Sequence, residues 1–270
     1  MPHLTLTSWL LPAMVAVFFT AAFQGTTGFG MALLGVPALA LLIDPSTAVE
    51  CITFVSIGTA AAIAYSYRKH WDLRRAAWLG VPLLAGTPLG VYVMKLLTNA
   101  QIGIGIGVLL IVTSGAYVIG FLLQRGTEVK KEMTAAPDCA TDGGIAPFSR
   151  ATCLVVGGTS GVMGGATGMT GPLLANYLIR TGISRESFKV TLNLIFTASA
   201  LWRAGIYVGT GMIEGRTLLS ALLLMPVALL GTLAGMRMDK RIPAEQFIRV
   251  VHVLLLGLGT WFVIAGCRKP

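Results

Sequence analysis

The sequence predicts an all-α polytopic membrane protein made of two inverted repeats, each a Gly-broken helical hairpin followed by three transmembrane helices. Three observations predict this class: an apolar composition, two similar Gly-rich breaks, and an uneven distribution of basic residues. Of the 270 residues, 55% are hydrophobic and 11% are charged, and the mean hydropathy is +0.78. Soluble domains carry about 25% charged residues. The composition therefore places the chain in a lipid bilayer as a single integral membrane domain.

Apolar segments follow one another along the chain, and the longer ones approach the roughly 20 residues that cross a hydrocarbon layer. The first set is 8–24, 31–43, 46–67, 76–97 and 100–124, and the second set, in matching order, is 151–164, 172–180, 187–208, 217–236 and 245–266. A polar stretch that contains Pro and Gly, 125–150, separates the two sets and indicates a linker. Repeat 1 is therefore predicted to span 8–124, and repeat 2 to span 151–266.

The two halves resemble each other at two places. "GTTGFGMALL" at 25–34 aligns with "GATGMTGPLL" at 165–174, and the two share glycines, a threonine and two leucines at the same positions. Further along, "AGTPLG" at 85–90 parallels "LGTLAG" at 230–235. Two matches in the same order indicate an internal duplication, although Gly- and Leu-rich text also produces chance matches.

Basic residues set the predicted orientation, because cytoplasmic loops carry an excess of Lys and Arg. In the first half, loop 68–75 and the linker are basic and lie two crossings apart. In the second half, two basic groups flank the crossings 187–208 and 217–236. These groups are Arg180, Arg185 and Lys189, then Arg237, Lys240 and Arg241. The loop after the third segment is thus cytoplasmic in the first half and outside in the second, so the halves are inverted. The hairpins then enter from opposite sides, the linker is cytoplasmic, and both termini lie outside.

Gly- and Thr-rich breaks form the tips of both hairpins. Non-helical backbone inside a membrane is tolerated only against protein or a water-filled cavity, so two opposed breaks predict a polar cavity between the repeats. The helices that start at the breaks direct their N-termini, with a partial positive charge of about +0.5, at this cavity, which favours an anion. The alternative is that small residues serve helix packing alone. The candidate substrate-binding residues at the tips are Gly25, Thr26, Thr27, Gly28, Gly165, Thr167, Gly168, Thr170 and Gly171.

Arg203 lies well inside segment 187–208, where insertion of an arginine costs at least roughly 2.5 to 3.5 kcal/mol. No Asp or Glu stands at helical spacing to pair with it, so a substrate anion is the expected counter-charge. The alternative is a side chain that snorkels to the outer interface beside Trp202 and Tyr207. Asn193, about three turns away, is expected either to line the same cavity or to bond a neighbouring helix.

Two titratable groups, Glu50 and His252, also fall within membrane segments and are candidate proton carriers. Glu50 lies near the outer end of its segment, and His252 is equally compatible with a hydrogen-bonded core histidine. No cofactor is predicted. The four cysteines have no CxxC spacing, so no metal site is predicted either. The net charge of +9 comes from residues in short loops, which excludes nucleic acid as an expected partner.

An enzyme is the main rival class. "GTSG" at 158–161, with Ser160 as nucleophile and His252 as base, matches the pattern of an intramembrane serine protease. Four residues in Gly-rich text form a weak motif, and a protease does not require a duplicated hairpin. The sequence therefore favours a transporter, with a passive anion channel as a second alternative.

The hairpin tips resemble those of the TauE/SafE family of sulfite and sulfonate exporters. "SGVMGGATGMTGPLLANYL" keeps the spaced glycines of that family, the Gly171–Pro172 step and Tyr177. "FQGTTGFGMALLGVPAL" keeps glycines and Pro37 but has Phe29 and Met31 where many members have consecutive glycines.

The resemblance implies a bacterial inner-membrane carrier that exports small sulfur-containing anions by alternating access. The implied substrates are sulfite, sulfoacetate or other organosulfonates. A homodimer is left open.

Overall fold

The computed structural model describes residues 6–123, 150–238 and 244–267, which form helices and no β-strand. The ten α-helices within these ranges are α1 Leu6–Thr27, α2 Met31–Ala40, α3 Pro45–Ser66, α4 Leu73–Leu96, α5 Asn99–Leu123, α6 Arg150–Thr167, α7 Gly171–Arg180, α8 Arg185–Gly209, α9 Gly215–Met238 and α10 Ala244–Cys267. Every predicted segment corresponds to one helix, and no boundary moves by more than three residues. The predicted linker lies, apart from Arg150, outside the described residues.

Four helices in the described part of the chain are long and apolar enough to cross a membrane. These helices are α1, α3, α4 and α9, and their candidate spans are Trp9–Thr27, Pro45–Ser66, Leu73–Leu96 and Gly215–Met238. Shorter apolar helices occur at Met31–Ala40, Asn99–Gly115 and Leu255–Gly266. The all-helical, multi-pass character that the composition predicts is thus confirmed.

Helices α3 and α8 form the centre of the bundle and pack against each other. Helix α9 packs on α3, and α4 packs on α8. Helix α1 then lies along α9 and α6 lies along α4, while α5 and α10 pair with each other. These contacts are the same in the two halves if α1 is taken to correspond to α6, α3 to α8, α4 to α9 and α5 to α10. The two halves are therefore interleaved, since the hairpin of each half rests on the fourth helix of the other.

The α4–α6 contact is a glycine seam, in which backbone meets backbone without side chains between. A Cβ at Gly161 would contact the Leu83 carbonyl oxygen, and a Cβ at Gly165 would contact that of Thr87. Any larger residue would push the helices apart, as at other interfaces built from small residues. Gly165, predicted as a ligand residue, thus faces α4.

The α1–α9 contact is a second seam of the same kind between the two halves. A Cβ at Gly25 would contact the Thr232 carbonyl oxygen, and one at Gly235 would contact that of Ala22. Gly25 and Gly165 occupy equivalent positions in the first pair of aligned sequence windows. Gly25 lies against Thr232, and Gly165 lies against Thr87. Thr232 and Thr87 are in turn equivalent in the second pair of windows. The internal similarity of the sequence therefore records residues that touch across the halves.

Both hairpin helices end at a glycine in the left-handed region. Gly28 has φ 87° and Gly168 has φ 79°, values that side-chain-bearing residues rarely adopt. The Gly28 N–H donates to the Gln24 carbonyl at 2.7 Å, and the Gly168 N–H donates to the Gly164 carbonyl at 2.8 Å. This is the αL pattern of helix termination, which stops α1 and α6 in the interior and turns the chain into α2 and α7.

We expect Gly161→Ala to destabilise the protein and Gly158→Ala, one turn earlier on α6, to leave it as stable or more stable. Overpacking at the Leu83 carbonyl costs about 1–3 kcal/mol. A Cβ at Gly158 meets nothing within 4 Å, so the higher helix propensity of Ala is expected to raise the free energy of unfolding by at most about 1 kcal/mol. Thermal unfolding of the purified variants in detergent measures the difference. Equal unfolding temperatures for the two variants would contradict the close α4–α6 contact.

Candidate functional site

A small cavity lies between the two hairpin tips, in front of α3 and α8. The space open to the centre of a water molecule is about 30 Å³. Both chain breaks, the first turns of α2 and α7, and polar residues of the central helices form its wall. The lining residues are Gln24, Gly30, Met31, Ala32, Leu33, Ser56, Gly168, Met169, Thr170, Gly171, Pro172, Phe196 and Arg203. The two tips thus share one cavity.

Arg203 places a buried guanidinium in the cavity wall. Its side chain is 4% exposed, and Nη1 donates a hydrogen bond to the Gly164 carbonyl of the second tip. Its Nε is buried and has no hydrogen-bond partner among the described residues. The predicted alternative, snorkelling to the interface beside Trp202, is wrong because the side chain turns inward, while Trp202 is 48% exposed.

The second tip approaches Arg203 closely. A Cβ at Gly168 would lie 3.6 Å from Arg203 Nη1, so glycine at this position serves both the turn and the approach of the guanidinium. Thr170 is the N-cap of α7 and makes no side-chain capping bond, and its methyl group packs over Gly164. Helix α7 begins at Gly171, with Pro172 in its first turn, where a missing N–H costs no helical bond.

The first tip presents the start of α2 to the same cavity. Gly30, with φ 110°, precedes the helix, and a Cβ there would lie 2.6 Å from the Phe23 ring. Phe29 of this tip lies beside the second one, since a Cβ at Gly171 would be 3.7 Å from Phe29 Cδ2. The N-termini of α2 and α7 therefore border one small space.

Asn193 holds the first tip onto α8. Its Nδ2 donates to the carbonyl oxygens of Gly28 at 2.6 Å and Lys189 at 2.8 Å, and its Oδ1 accepts from Gln24 Nε2 at 3.1 Å. This pairing directs the Gln24 amide nitrogen to Asn193, and Gln24 Oε1 is left buried without a partner among the described residues. Asn193 thus follows the second of its two predicted alternatives, a hydrogen bond to a neighbouring element.

Three of the predicted threonines use their hydroxyl groups within the tips. Thr26 and Thr27 each donate to the Phe23 carbonyl at 2.8 Å, and Thr167 donates to the Met163 carbonyl at 2.8 Å. None of the three belongs to the cavity wall. The structure therefore brings Gly168, Thr170, Gly171 and Arg203 to the cavity and places the other predicted residues in the support of the tips.

Several wall residues and one buried cation were not predicted from the sequence. Gln24 and Ser56 are polar residues within apolar helices, a signal that was available, whereas the position of Phe196 depends on packing alone. Lys189 appeared to mark a cytoplasmic loop, yet its side chain is 1% exposed. Its stem covers Gly28, and its ammonium lies 5.4 Å from the centre of the Tyr67 ring.

Ser160, the nucleophile of the protease alternative, is one of the buried residues of α6. It is 1% exposed, and its Oγ has no hydrogen-bond partner among the described residues. The side chain of His252 lies outside the residues whose side chains the structure describes. Ser160 lines no part of the cavity between the tips.

Comparison with known proteins identifies one family. The sequence model of the family described as "Sulfite exporter TauE/SafE" matches residues 13–262. A curated protein of Cupriavidus necator, the "Probable sulfite/organosulfonate exporter TauE", is 24% identical over 239 residues, which cover 88% of this chain and 87% of that protein. No solved structure matches the chain.

We expect Asn193→Ala to lower the stability of the protein, because it leaves the buried Gly28 carbonyl and the Gln24 amide without a partner. An unpaired buried polar group costs about 1–3 kcal/mol. Thr197→Val, one turn further along α8, is the control, since Thr197 donates only within its own helix, to the Asn193 carbonyl at 2.7 Å. Thermal unfolding in detergent compares them. A loss for Thr197→Val as large as that for Asn193→Ala would contradict the role of Asn193 as a clamp.

Proposed function

Because the chain belongs to the TauE/SafE family of sulfite exporters, we propose that it exports small sulfur-containing anions through the cavity between its hairpin tips. Family membership makes it a multi-pass membrane transporter and not an enzyme. The proposed cargo comprises sulfite, sulfoacetate and other organosulfonates. The proposed location is a bacterial inner membrane.

The observation that carries the proposal is the buried guanidinium of Arg203 in the cavity wall. A charged side chain inside a membrane is costly and pairs with an opposite charge, or serves a ligand. No described carboxylate forms an ion pair with Arg203, and its hydrogen bond to the neutral Gly164 carbonyl leaves the charge uncompensated. An anion in the cavity would supply that compensation. The α2 and α7 N-termini add unpaired N–H groups with the same preference.

The proposed binding site is smaller than the set of residues at the tips. We assign direct contact with the anion to Arg203, Gly168, Thr170 and Gly171. We assign support of the tips to Gly25, Thr26, Thr27, Gly28, Gly165, Thr167 and Asn193, which hold backbone or pack helices. Gln24 and Ser56 join the wall from α1 and α3.

The size of the cavity supports a carrier that alternates between states. The space available to water centres is about 30 Å³, enough for roughly two water molecules. We infer that the cavity is too narrow in this conformation for an organosulfonate, so that loading requires the tips to move apart. A permanently open channel has no need of such a movement.

The interleaved packing supports the proposed inverted-repeat mechanism. Each hairpin rests on a helix of the other half, so the α1–α9 and α4–α6 pairs can move as two rigid units about the α3–α8 centre. With repeats spanning 8–124 and 151–266 in opposite orientations, rocking of one unit opens the cavity to one side only. The charge distribution of the loops indicates which sides these are.

A counterflow experiment separates a carrier from a channel. Proteoliposomes loaded with unlabelled sulfite are diluted into labelled sulfite at equal pH. A carrier transiently accumulates label because exchange is faster than net flux, and a channel does not. Absence of both counterflow and binding with sulfite, sulfoacetate and other sulfonates would overturn the proposed function.

We expect Arg203→Ala to weaken sulfite binding by roughly 10- to 150-fold, the equivalent of one charge-assisted hydrogen bond of about 1.5–3 kcal/mol. Arg216→Ala is the control, because Arg216 is an exposed arginine at the start of α9. Sulfite-induced thermal shifts and counterflow rates measure the effect on the two variants. Unchanged sulfite affinity and transport in a folded Arg203→Ala protein would contradict the assignment.

A further inference from the structure

Gln24 of α1 is a buried amide in the wall of the cavity between the tips. Its side chain is 2% exposed, and its Oε1 accepts no hydrogen bond from any described residue. Buried polar groups in proteins are paired with few exceptions, because an unpaired one costs stability. An unpaired oxygen on a side chain that lines a cavity therefore indicates that something in the cavity completes it.

Asn193 determines which end of the Gln24 amide a ligand can meet. Asn193 Nδ2 donates to the carbonyl oxygens of Gly28 at 2.6 Å and Lys189 at 2.8 Å. Carbonyl oxygens only accept, so the Asn193 amide cannot be reversed, and its Oδ1 accepts from Gln24 Nε2 at 3.1 Å. Asn193 is not a wall residue, whereas Gln24 is one. The nitrogen of the Gln24 amide is thus occupied, and the oxygen is the end left for the cavity.

Ser56 of α3 adds a second acceptor to the same wall. Its hydroxyl donates its proton to the Ile52 carbonyl at 2.6 Å. Because the proton is used there, the Ser56 oxygen can only accept from a ligand. Helices α1 and α3 therefore offer acceptors to the cavity, whereas Arg203 and the N-termini of α2 and α7 offer donors.

A ligand that suits both kinds of group is an anion that also has a proton to donate. The sulfite dianion has oxygen acceptors and no donor, so it would bring its electron-rich oxygens against Gln24 Oε1. Bisulfite, its singly protonated form, keeps a negative charge for Arg203 and, when the proton is on oxygen, has one hydroxyl group. A site that hydrogen-bonds a substrate hydroxyl rejects an analogue without it, because the polar group of the site is then left unpaired.

We propose that the cavity selects bisulfite over the sulfite dianion and that Gln24 is the specificity-determining residue, with its Oε1 accepting a hydrogen bond from the bisulfite hydroxyl. Asn193 is a positioning residue, since it acts by holding the Gln24 amide in this orientation. The inference rests on the proposed function and names the protonation state of its cargo. Each transported ion then carries its proton with it, and a single negative charge has to be accommodated in the cavity.

Methanesulfinate is the matched probe, because a methyl group replaces the bisulfite hydroxyl while the charge and the other two oxygens stay. Isothermal titration calorimetry measures the binding of both anions to the purified protein in detergent, at pH values below and above the point where bisulfite loses its proton. Arg203 is the only titratable residue among the described wall residues. Methanesulfinate does not titrate in this range, so its binding reports any titration of the protein.

The wild type is compared with Gln24→Met, which keeps the length of the side chain and removes the oxygen. Thr20→Val is the control, because Thr20 lies one turn earlier on α1 and does not line the cavity. The Thr20 hydroxyl donates to the Val17 carbonyl at 3.1 Å, with Met31 Sδ at 3.6 Å as a second acceptor. The ratio of the two affinities within one variant is insensitive to a general loss of stability.

The wild type is expected to bind bisulfite about 5- to 150-fold more tightly than methanesulfinate, the range that corresponds to one buried polar group left unpaired. Its apparent affinity for total sulfite falls by about tenfold per pH unit above the pKa of bisulfite. Gln24→Met loses the preference, and Thr20→Val keeps it. Asn193→Ala, which frees the Gln24 amide to turn, also lowers the ratio and serves if Gln24→Met does not fold.

Equal binding of bisulfite and methanesulfinate by the wild type would overturn the selection and leave an ordered water as the partner of Gln24 Oε1. An affinity for total sulfite that does not fall with rising pH would overturn it as well. An unchanged preference in folded Gln24→Met, or in Asn193→Ala where only that variant folds, would overturn the role of Gln24. A wild type that binds neither of these anions nor any sulfonate overturns the proposed function instead.

Discussion

Helices α1 and α6 end inside the protein, and the backbone groups at their ends must form hydrogen bonds with protein groups and not with water. The rest of the architecture depends on these hydrogen bonds. Side chains of one helix, α8, pair the backbone groups: Asn193 donates to the Gly28 carbonyl and Arg203 donates to the Gly164 carbonyl. Helix α8 must therefore lie against both tips, and its buried face must carry polar residues that lipid would reject. The cavity exists because both tips converge on this helix, with α3 opposite.

Close backbone contact makes this convergence possible. The glycine seams bring α1 onto α9 and α6 onto α4 without intervening side chains, so the first helix of each hairpin is held along its length against the other half. Burial of side chains alone would leave the tips further from α8. The seams consequently act at a distance from the cavity, and their glycines govern its geometry without bordering it.

The sequence predicted the helices and the breaks well, because apolar length and Gly–Thr runs are local signals. The tip residues of the cavity wall were predicted in part. Gly25 and Gly165 illustrate the limit: the similarity of the two sequence windows singled them out, but only the structure shows that they face α9 and α4. The predictions for Thr26 and Lys189 differ from the structure for a related reason. The direction of a hydroxyl group and the burial of a lysine depend on neighbours far along the chain. Gln24, an amide in an apolar helix, is a sequence signal of the polar wall that the predicted site did not include.

The central pair of helices is symmetric in its contacts and asymmetric in its charge. The residues of α3 that correspond by position to Lys189 and Arg203 of α8 are Val49 and Ile63. The glycine seams lie on α1, α4, α6 and α9, whereas the two buried cations Lys189 and Arg203 both lie on α8. The positive charge beside the hairpin tips therefore comes from one helix, and the close contacts between the halves come from four others.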